Sequence, residues 1–245
     1  MPTVLILGAN AGIGRALAGE FASHHYDLVL GGRDLEELQT VACDVHLRHG
    51  VRARAVRLDV IDFEGLEQAL AACIAGGDPL EGAVLCVGYL GDSEAAHRDL
   101  NEAGRILDTN FTGSVLALEV LANYFEAEGK GFICGLSSVA GDRGRQSNYL
   151  YGSAKGGLTI YLQGLRNRLW RRGVHVITVK PGFVDTRMVF GKAKLPLVAR
   201  PEKVARDIYR SVKSPKNVAY TPWFWRVIMF MVRTVPEELF KRLKM

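Results

Sequence analysis

The run Thr3-Val-Leu-Ile-Leu7 is apolar throughout, and Gly8-Ala-Asn-Ala-Gly12-Ile-Gly14 follows it at once. A short strand without polar alternation has to be buried on both faces, as in parallel sheets covered by helices. After the glycines an amphipathic pattern runs from Gly14 to about His24, which predicts a helix. In a strand–turn–helix unit of this kind Gly8 permits the tight turn. Gly12 and Gly14 let the backbone come close to a pyrophosphate and to the sheet. The helix N-terminus favours the negative charge of that phosphate. The spacing is G-x-x-x-G-x-G rather than G-x-G-x-x-G, yet strand and helix flank it as dinucleotide binding requires.

The alternation continues to the end of the chain. Strands are expected at 26–32, 53–58, 82–88, 131–137, 174–179 and 217–220. Helices are expected at 35–50, 63–75, 104–128 and from before Tyr151 to about Arg172. This predicts one α/β domain over residues 1–245, built on a doubly wound parallel sheet of about seven strands with helices on both faces. With 48% apolar and 23% charged residues, the 245-residue chain can fill one large core. A net charge of +5 permits attraction to phosphates or an anionic surface, but no nucleic-acid partner is expected. Cys43, Cys73, Cys86 and Cys134 are dispersed and form no C-x-x-C pair, which suits free thiols in a reducing cytoplasm. His46 and His49 lack further ligands, so no metal is expected. No signal pattern opens the chain, and no apolar run reaches the ~18–20 residues of a membrane span. A cytoplasmic protein is the expectation.

The chemistry-bearing stretch lies between Ser138 and Lys155. Tyr151 and Lys155 are four apart and share one helix face. A free tyrosine, with a pKa of roughly 10, is a poor acid or base at neutral pH. An ammonium nearby lowers that value, so the pair can move a proton. Ser138 follows the strand-like run from Gly131 to Ser137.

Glycine turn, Ser138 and Tyr151-x-x-x-Lys155 together resemble the classical short-chain dehydrogenase/reductase family, over nearly the whole chain to about Tyr220. The resemblance implies a Rossmann-like fold and a nicotinamide cofactor. It implies Tyr151 as general acid or base and Ser138 as a hydrogen-bond donor to the substrate oxygen. Lys155 would lower the tyrosine pKa and hold the nicotinamide ribose. Asn110 would complete a proton relay by holding a water on its backbone carbonyl. It places Gly8, Asn10, Gly12, Ile13 and Gly14 at the pyrophosphate, and Asp59 and Val60 at the adenine. Gly88 allows close backbone approach. Pro181, Gly182, Val184 and Thr186 cover the nicotinamide, with Thr186 on the carboxamide. Asp59 reads equally well as a turn or cap residue.

The end of the second strand bears on which nicotinamide cofactor fits. Gly32 leaves room for a 2′-phosphate and Arg33 supplies a cation for it, favouring NADP(H) over NAD(H). Asp34 and Ala11 weigh the other way. The chain departs from the family at Cys86-Val87-Gly88, where Asn-Asn-Ala-Gly is common, and so lacks side-chain amides that would brace the central strands.

Residues 187–200 are apolar and basic, and suit a lid over a substrate with an apolar and an anionic part. Residues 221–245 form an apolar, aromatic and basic tail. It could meet a membrane interface or pack against a second subunit, as a homodimer or homotetramer would provide. The tail and Gly88-Tyr-Leu-Gly-Asp92 are similar to the branch of decaprenylphosphoryl-2-keto-erythro-pentose reductases, which implies an apolar or lipid-linked keto sugar. The leading expectation is hydride transfer between nicotinamide and a small-molecule carbonyl or secondary alcohol. The alternative is a non-catalytic NADP(H)-binding sensor or scaffold. An extended sugar epimerase or dehydratase is disfavoured by the short C-terminal portion.

Overall fold

The computed structural model describes residues 1–187, 197–214 and 216–243. The apolar runs become β1 (Thr3–Leu7), β2 (Asp27–Gly32), β3 (Ala53–Arg57), β4 (Leu80–Leu85), β5 (Gly131–Leu136), β6 (Val174–Pro181) and β7 (Val218–Thr221). All are parallel, in the order β3-β2-β1-β4-β5-β6-β7. The sheet order reverses between β1 and β4, which opens a crevice at the carboxyl ends of the strands.

The helices among the described residues are α1 (Gly12–Ser23), α2 (Leu35–His49), α3 (Leu66–Ala75), α4 (Ser93–Ala96), α5 (Leu100–Leu107), α6 (Gly113–Glu128), α7 (Tyr149–Leu169), α8 (Pro201–Lys213), α9 (Trp225–Thr234) and α10 (Glu237–Phe240). One core lies where α1, α2 and α8 cover the sheet, through Leu17, Phe21, Leu38, Val41, Val204 and Ile208. The other lies beneath α3, α6 and α7, through Leu66, Leu70, Leu121, Leu158 and Leu162. Inner strands such as β1, buried at every position, have no solvated face and so read as continuous apolar runs, whereas the edge strand β3, with Arg54 and Arg57, is only partly buried.

The helix expected over 104–128 is broken. A single π-helical turn, Asp108–Thr112, separates α5 from α6. Asn110 turns inward at this point and is fully buried. Long-range bonds hold it there, and local helix propensity does not foresee them. π-turns of this kind recur at functional sites.

The tail packs one face inward. Trp225 and Met229 bury against Val139. Its outer face leaves Trp223, Val227, Phe230 and Met231 at 74%, 51%, 69% and 55% exposure, beside exposed Arg226 and Arg233. The expected lipid or subunit contact would fall on this face. No helix among the described residues is long and apolar enough to cross a membrane. Most of the expected lid, 188–196, lies outside the described residues, as do Pro215, Lys244 and Met245. The base of that segment is closed by a bridge between Val184 and Ala199.

Candidate active site

Gly8, with φ of +89°, ends β1 in a conformation that a side chain would strain. A Cβ on Gly14 would stand 2.1 Å from the Gly8 carbonyl oxygen, so the first turn of α1 can lie against the loop only as glycine. Beyond this loop a cleft of about 1580 Å3 follows the carboxyl edge of the sheet. Asn10, Gly12, Ile13, Gly14 and Arg33 line one end, and Gly88 lies on its wall. Ser138, Tyr151, Lys155, Pro181, Gly182, Val184 and Thr186 line the rest. Gly8, Asn110, Asp59 and Val60 are not on the wall. Asp59 Oδ1 accepts from the Ile61 amide at 3.2 Å, a turn role, and Val60 is buried beneath α6.

Ser138 has extended backbone and caps the 3-10 turn Val139–Asp142, its Oγ accepting from the Ala140 amide at 3.1 Å. That leaves its proton free to donate into the cleft. Burial pushes the Tyr151 phenol up to about 12, and the hydrogen bond with Ser138 opposes the rise. Lys155 is 2% exposed, and burial lowers its pKa to about 8. Its Nζ donates to the carbonyls of Leu136 at 3.1 Å and Val87 at 3.3 Å, and lies 5.9 Å from the centre of the Tyr151 ring. The sequence-based expectation that Lys155 depresses the tyrosine is therefore not what governs the phenol here. The ammonium is turned to the cleft floor, and desolvation dominates.

Asn110 ties the floor together from below. Its Oδ1 accepts from the Tyr89 amide at 3.1 Å, and its Nδ2 donates to the Tyr89 and Ile106 carbonyls, the latter at 2.8 Å. The bracing expected to be lost at Cys86 is supplied by other groups. The Cys86 thiol donates to the Leu7 carbonyl at 3.0 Å and joins β1 to β4 where the glycine loop begins. Ser137 serves packing, donating to the Lys155 carbonyl at 2.8 Å.

Asp34 lines the same end of the cleft as Arg33. Its carboxylate caps α2, accepting from the Glu37 amide at 3.0 Å. Arg15 and Arg57 reach the same end of the cleft as Arg33, although Arg15 is paired with Glu37 at 3.0 Å. The sequence reading missed both. It also missed the buried pair of Lys180 and Asp142, whose second carboxylate oxygen accepts from the Tyr220 hydroxyl at 2.8 Å. The pair ties the turn after Ser138 to the Pro181-Gly182 turn. A lysine inside the apolar run 174–181 was the available signal.

A dinucleotide fits these walls. The bare glycine backbone gives a close approach for phosphates, and a Cβ on Gly12 would fill space down to 2.7 Å from Thr186 Cγ2. Ser138, Tyr151 and Lys155 stand at one end and arginines at the other.

The short chain dehydrogenase family model matches residues 2–194. An uncharacterised oxidoreductase of Mycobacterium tuberculosis is 33% identical over 240 residues, covering 98% of this chain and 96% of the relative. A serine 3-dehydrogenase of Agrobacterium fabrum is 28% identical over 230 residues, covering 88% and 90%. Among solved structures, a short-chain dehydrogenase from Sphingobium yanoikuyae in complex with NADPH superposes with a TM-score of 0.85 at 23% identity, covering 99% and 96%. An actinorhodin polyketide ketoreductase with NADPH gives 0.81 at 21% identity, covering 91% and 97%. The first of these structures covers the fold almost end to end, and the family model covers the glycine loop, Ser138, Tyr151 and Lys155. On that ground the chain belongs to the short-chain dehydrogenase family.

Proposed function

We propose that the protein is an NADP(H)-dependent oxidoreductase that interconverts a carbonyl and a secondary alcohol. The observation that carries this reading is the convergence of Ser138, Tyr151 and Lys155 on one end of a cleft whose other end holds Arg33. Bound nicotinamide would supply or accept the hydride. The chain's own groups handle the oxygen. Ser138 donates to the carbonyl oxygen and stabilises the negative charge that develops on it. Tyr151 gives its proton to that oxygen, or takes it back in the oxidative direction. A phenol held near 12 keeps its proton throughout the physiological range, so the departing proton has to be favoured by the groups around it. Lys155, fixed by two carbonyls, would hold a ribose hydroxyl, and its charge would favour the phenolate once the proton has left. Asn110 keeps the floor under Lys155 in register through Tyr89.

The NADP(H) preference rests on Gly32 and Arg33, and on the NADPH carried by the two structures of similar fold. Fluorescence titration with NADPH and NADH tests it. Loss of a charge-assisted phosphate contact in Arg33→Ala should weaken NADPH by about 10- to 100-fold and leave NADH unchanged. A ketone screen then follows, in which Tyr151→Phe should lower kcat by about 100-fold or more. Tight NADPH binding with no turnover of any ketone would favour a non-catalytic sensor.

A further inference from the structure

The loop before α7 carries two arginines in opposite situations. The Arg143 guanidinium is held through both of its terminal nitrogens. It donates to the carbonyls of Val232 at 2.8 Å, Arg233 at 3.3 Å and Val235, pairs with Glu237 at 2.9 Å, and lies 3.8 Å over the Phe240 ring. Arg145 lines the cleft instead. Its Nη2 reaches only the Val139 carbonyl, at 3.4 Å, which is long for a hydrogen bond. Its Nε is buried and has no partner.

No carboxylate forms an ion pair with Arg145 among the described residues. The nearby Asp142 is committed to Lys180 and Tyr220 through both oxygens. Residues 188–196 contain neither Asp nor Glu, so that segment has no acidic side chain to offer. Burial disfavours the charged guanidinium, lowering its pKa. Buried donors without acceptors are costly, and a ligand that meets them explains why they persist. A second unmet group stands on the same wall. The Asn148 Oδ1 is buried without a partner, although Asn148 occupies the N-cap position of α7.

Position separates this site from the cofactor's phosphates. Arg145 reaches for the residue that follows Ser138, at the end of β5. Arg33 follows β2, three strand spacings away in the sheet, which is roughly 14 Å. The glycine loop lies after β1, between them.

We propose that Arg145, with Asn148 beside it, binds an anionic group of the substrate, a carboxylate or a phosphate, close to the reacting carbon. The planar fork of arginine matches both groups in two parallel hydrogen bonds. The enzyme thus selects carbonyl compounds and alcohols that carry a negative charge. This rests on the function proposed above and narrows its substrate class.

The test uses matched probes. Acetoacetate is compared with methyl acetoacetate, and dihydroxyacetone phosphate with dihydroxyacetone, by calorimetric titration of wild type, Arg145→Gln and Arg145→Lys. At least one anion should bind wild type more tightly than its neutral counterpart, and should lose about 30-fold in Arg145→Gln. The neutral probes should change less than about twofold, and Arg145→Lys should be intermediate because it keeps the charge but not the fork. Whichever anion responds identifies carboxylate or phosphate. An anion affinity equal in wild type and Arg145→Gln overturns the proposal, as does a wild type that binds neither anion better than its neutral partner. An anion whose affinity falls in Arg33→Ala instead is lodged at the cofactor end, and also overturns it. Binding is read without turnover. Failure to reduce any ketone would therefore count against the oxidoreductase reading, while loss of the anion preference would count against Arg145.

Discussion

Replacing Asp142 by Asn tests whether the buried pair behind the Ser138 turn holds the candidate site together. The Lys180 and Asp142 side chains are 8% and 2% exposed. Each carboxylate oxygen has a partner, Lys180 on one and the Tyr220 hydroxyl on the other. Burial, then the bond to Asp142, pushes the Tyr220 phenol up to about 12, so it stays a donor. Asn keeps the shape but removes the charge, and leaves an ammonium in a site closed to water. Breaking one side of a buried pair typically costs about 3–5 kcal/mol. At roughly 2–4 °C per kcal/mol for a chain of this size, the melting temperature should fall by about 6–20 °C. Circular dichroism against temperature and urea reads both quantities. The double substitution Asp142→Leu with Lys180→Met removes both charges and should recover most of the loss. The single variant should also lose activity beyond its loss of stability, measured well below its melting point, because the pair fixes the turn bearing Ser138. A loss under about 1 kcal/mol, or a double variant no better than the single one, would refute the reasoning.

Two further outcomes follow from the same geometry. Lys155 has a folded pKa near 8 against an ordinary value of 10.5, so between those limits the unfolded chain holds a proton that the folded protein lacks. Its contribution to stability therefore grows as pH rises through that window and is lost as pH falls to about 8. The stability of wild type minus that of Lys155→Met should increase by about 1 kcal/mol from pH 8 to pH 9, and a flat difference would contradict the burial of the ammonium. Arg143→Ala removes the clamp on the end of α9, and should lower the opening free energy of residues 225–240 by about 1–3 kcal/mol, seen as faster amide hydrogen exchange there and not in β1.

The sheet and the grouping of Ser138, Tyr151 and Lys155 in one cleft were legible in the sequence because their signals are local. A buried parallel strand is a short apolar run, and Tyr151 and Lys155 share a helix face by spacing alone. What was hidden depends on distant partners. Asn110 lies 21 residues from the Tyr89 backbone that turns it inward, and that contact goes with the π-turn in what periodicity reads as one helix. Asp142 and Lys180 are 38 residues apart, and neither announces the other. Cys86 read as a missing brace, because the strength of its contact depends on the Leu7 carbonyl lying opposite it in the neighbouring strand. The lysine was legible as a charge near Tyr151. That its ammonium turns to the floor, leaving burial to set the phenol, follows only from the carbonyls of Leu136 and Val87.

The end of β2 also constrains how this protein could change its cofactor over generations. An acidic side chain accepting a ribose hydroxyl would have to enter at Gly32, yet a Cβ there would stand 2.9 Å from Asn10 Oδ1. Asp34, already acidic and two positions on, is committed to starting α2. A substitution at Gly32 therefore presses on the Asn10 side chain, and recruiting Asp34 gives up the cap of α2, at about 0.5–2 kcal/mol. The contact is with the outer end of the Asn10 side chain, which can turn aside, so an acid entering at Gly32 would re-aim a group on the glycine loop in the same step. Cofactor choice at the end of β2 is therefore coupled to the loop that receives the phosphates, through the contact between Gly32 and Asn10.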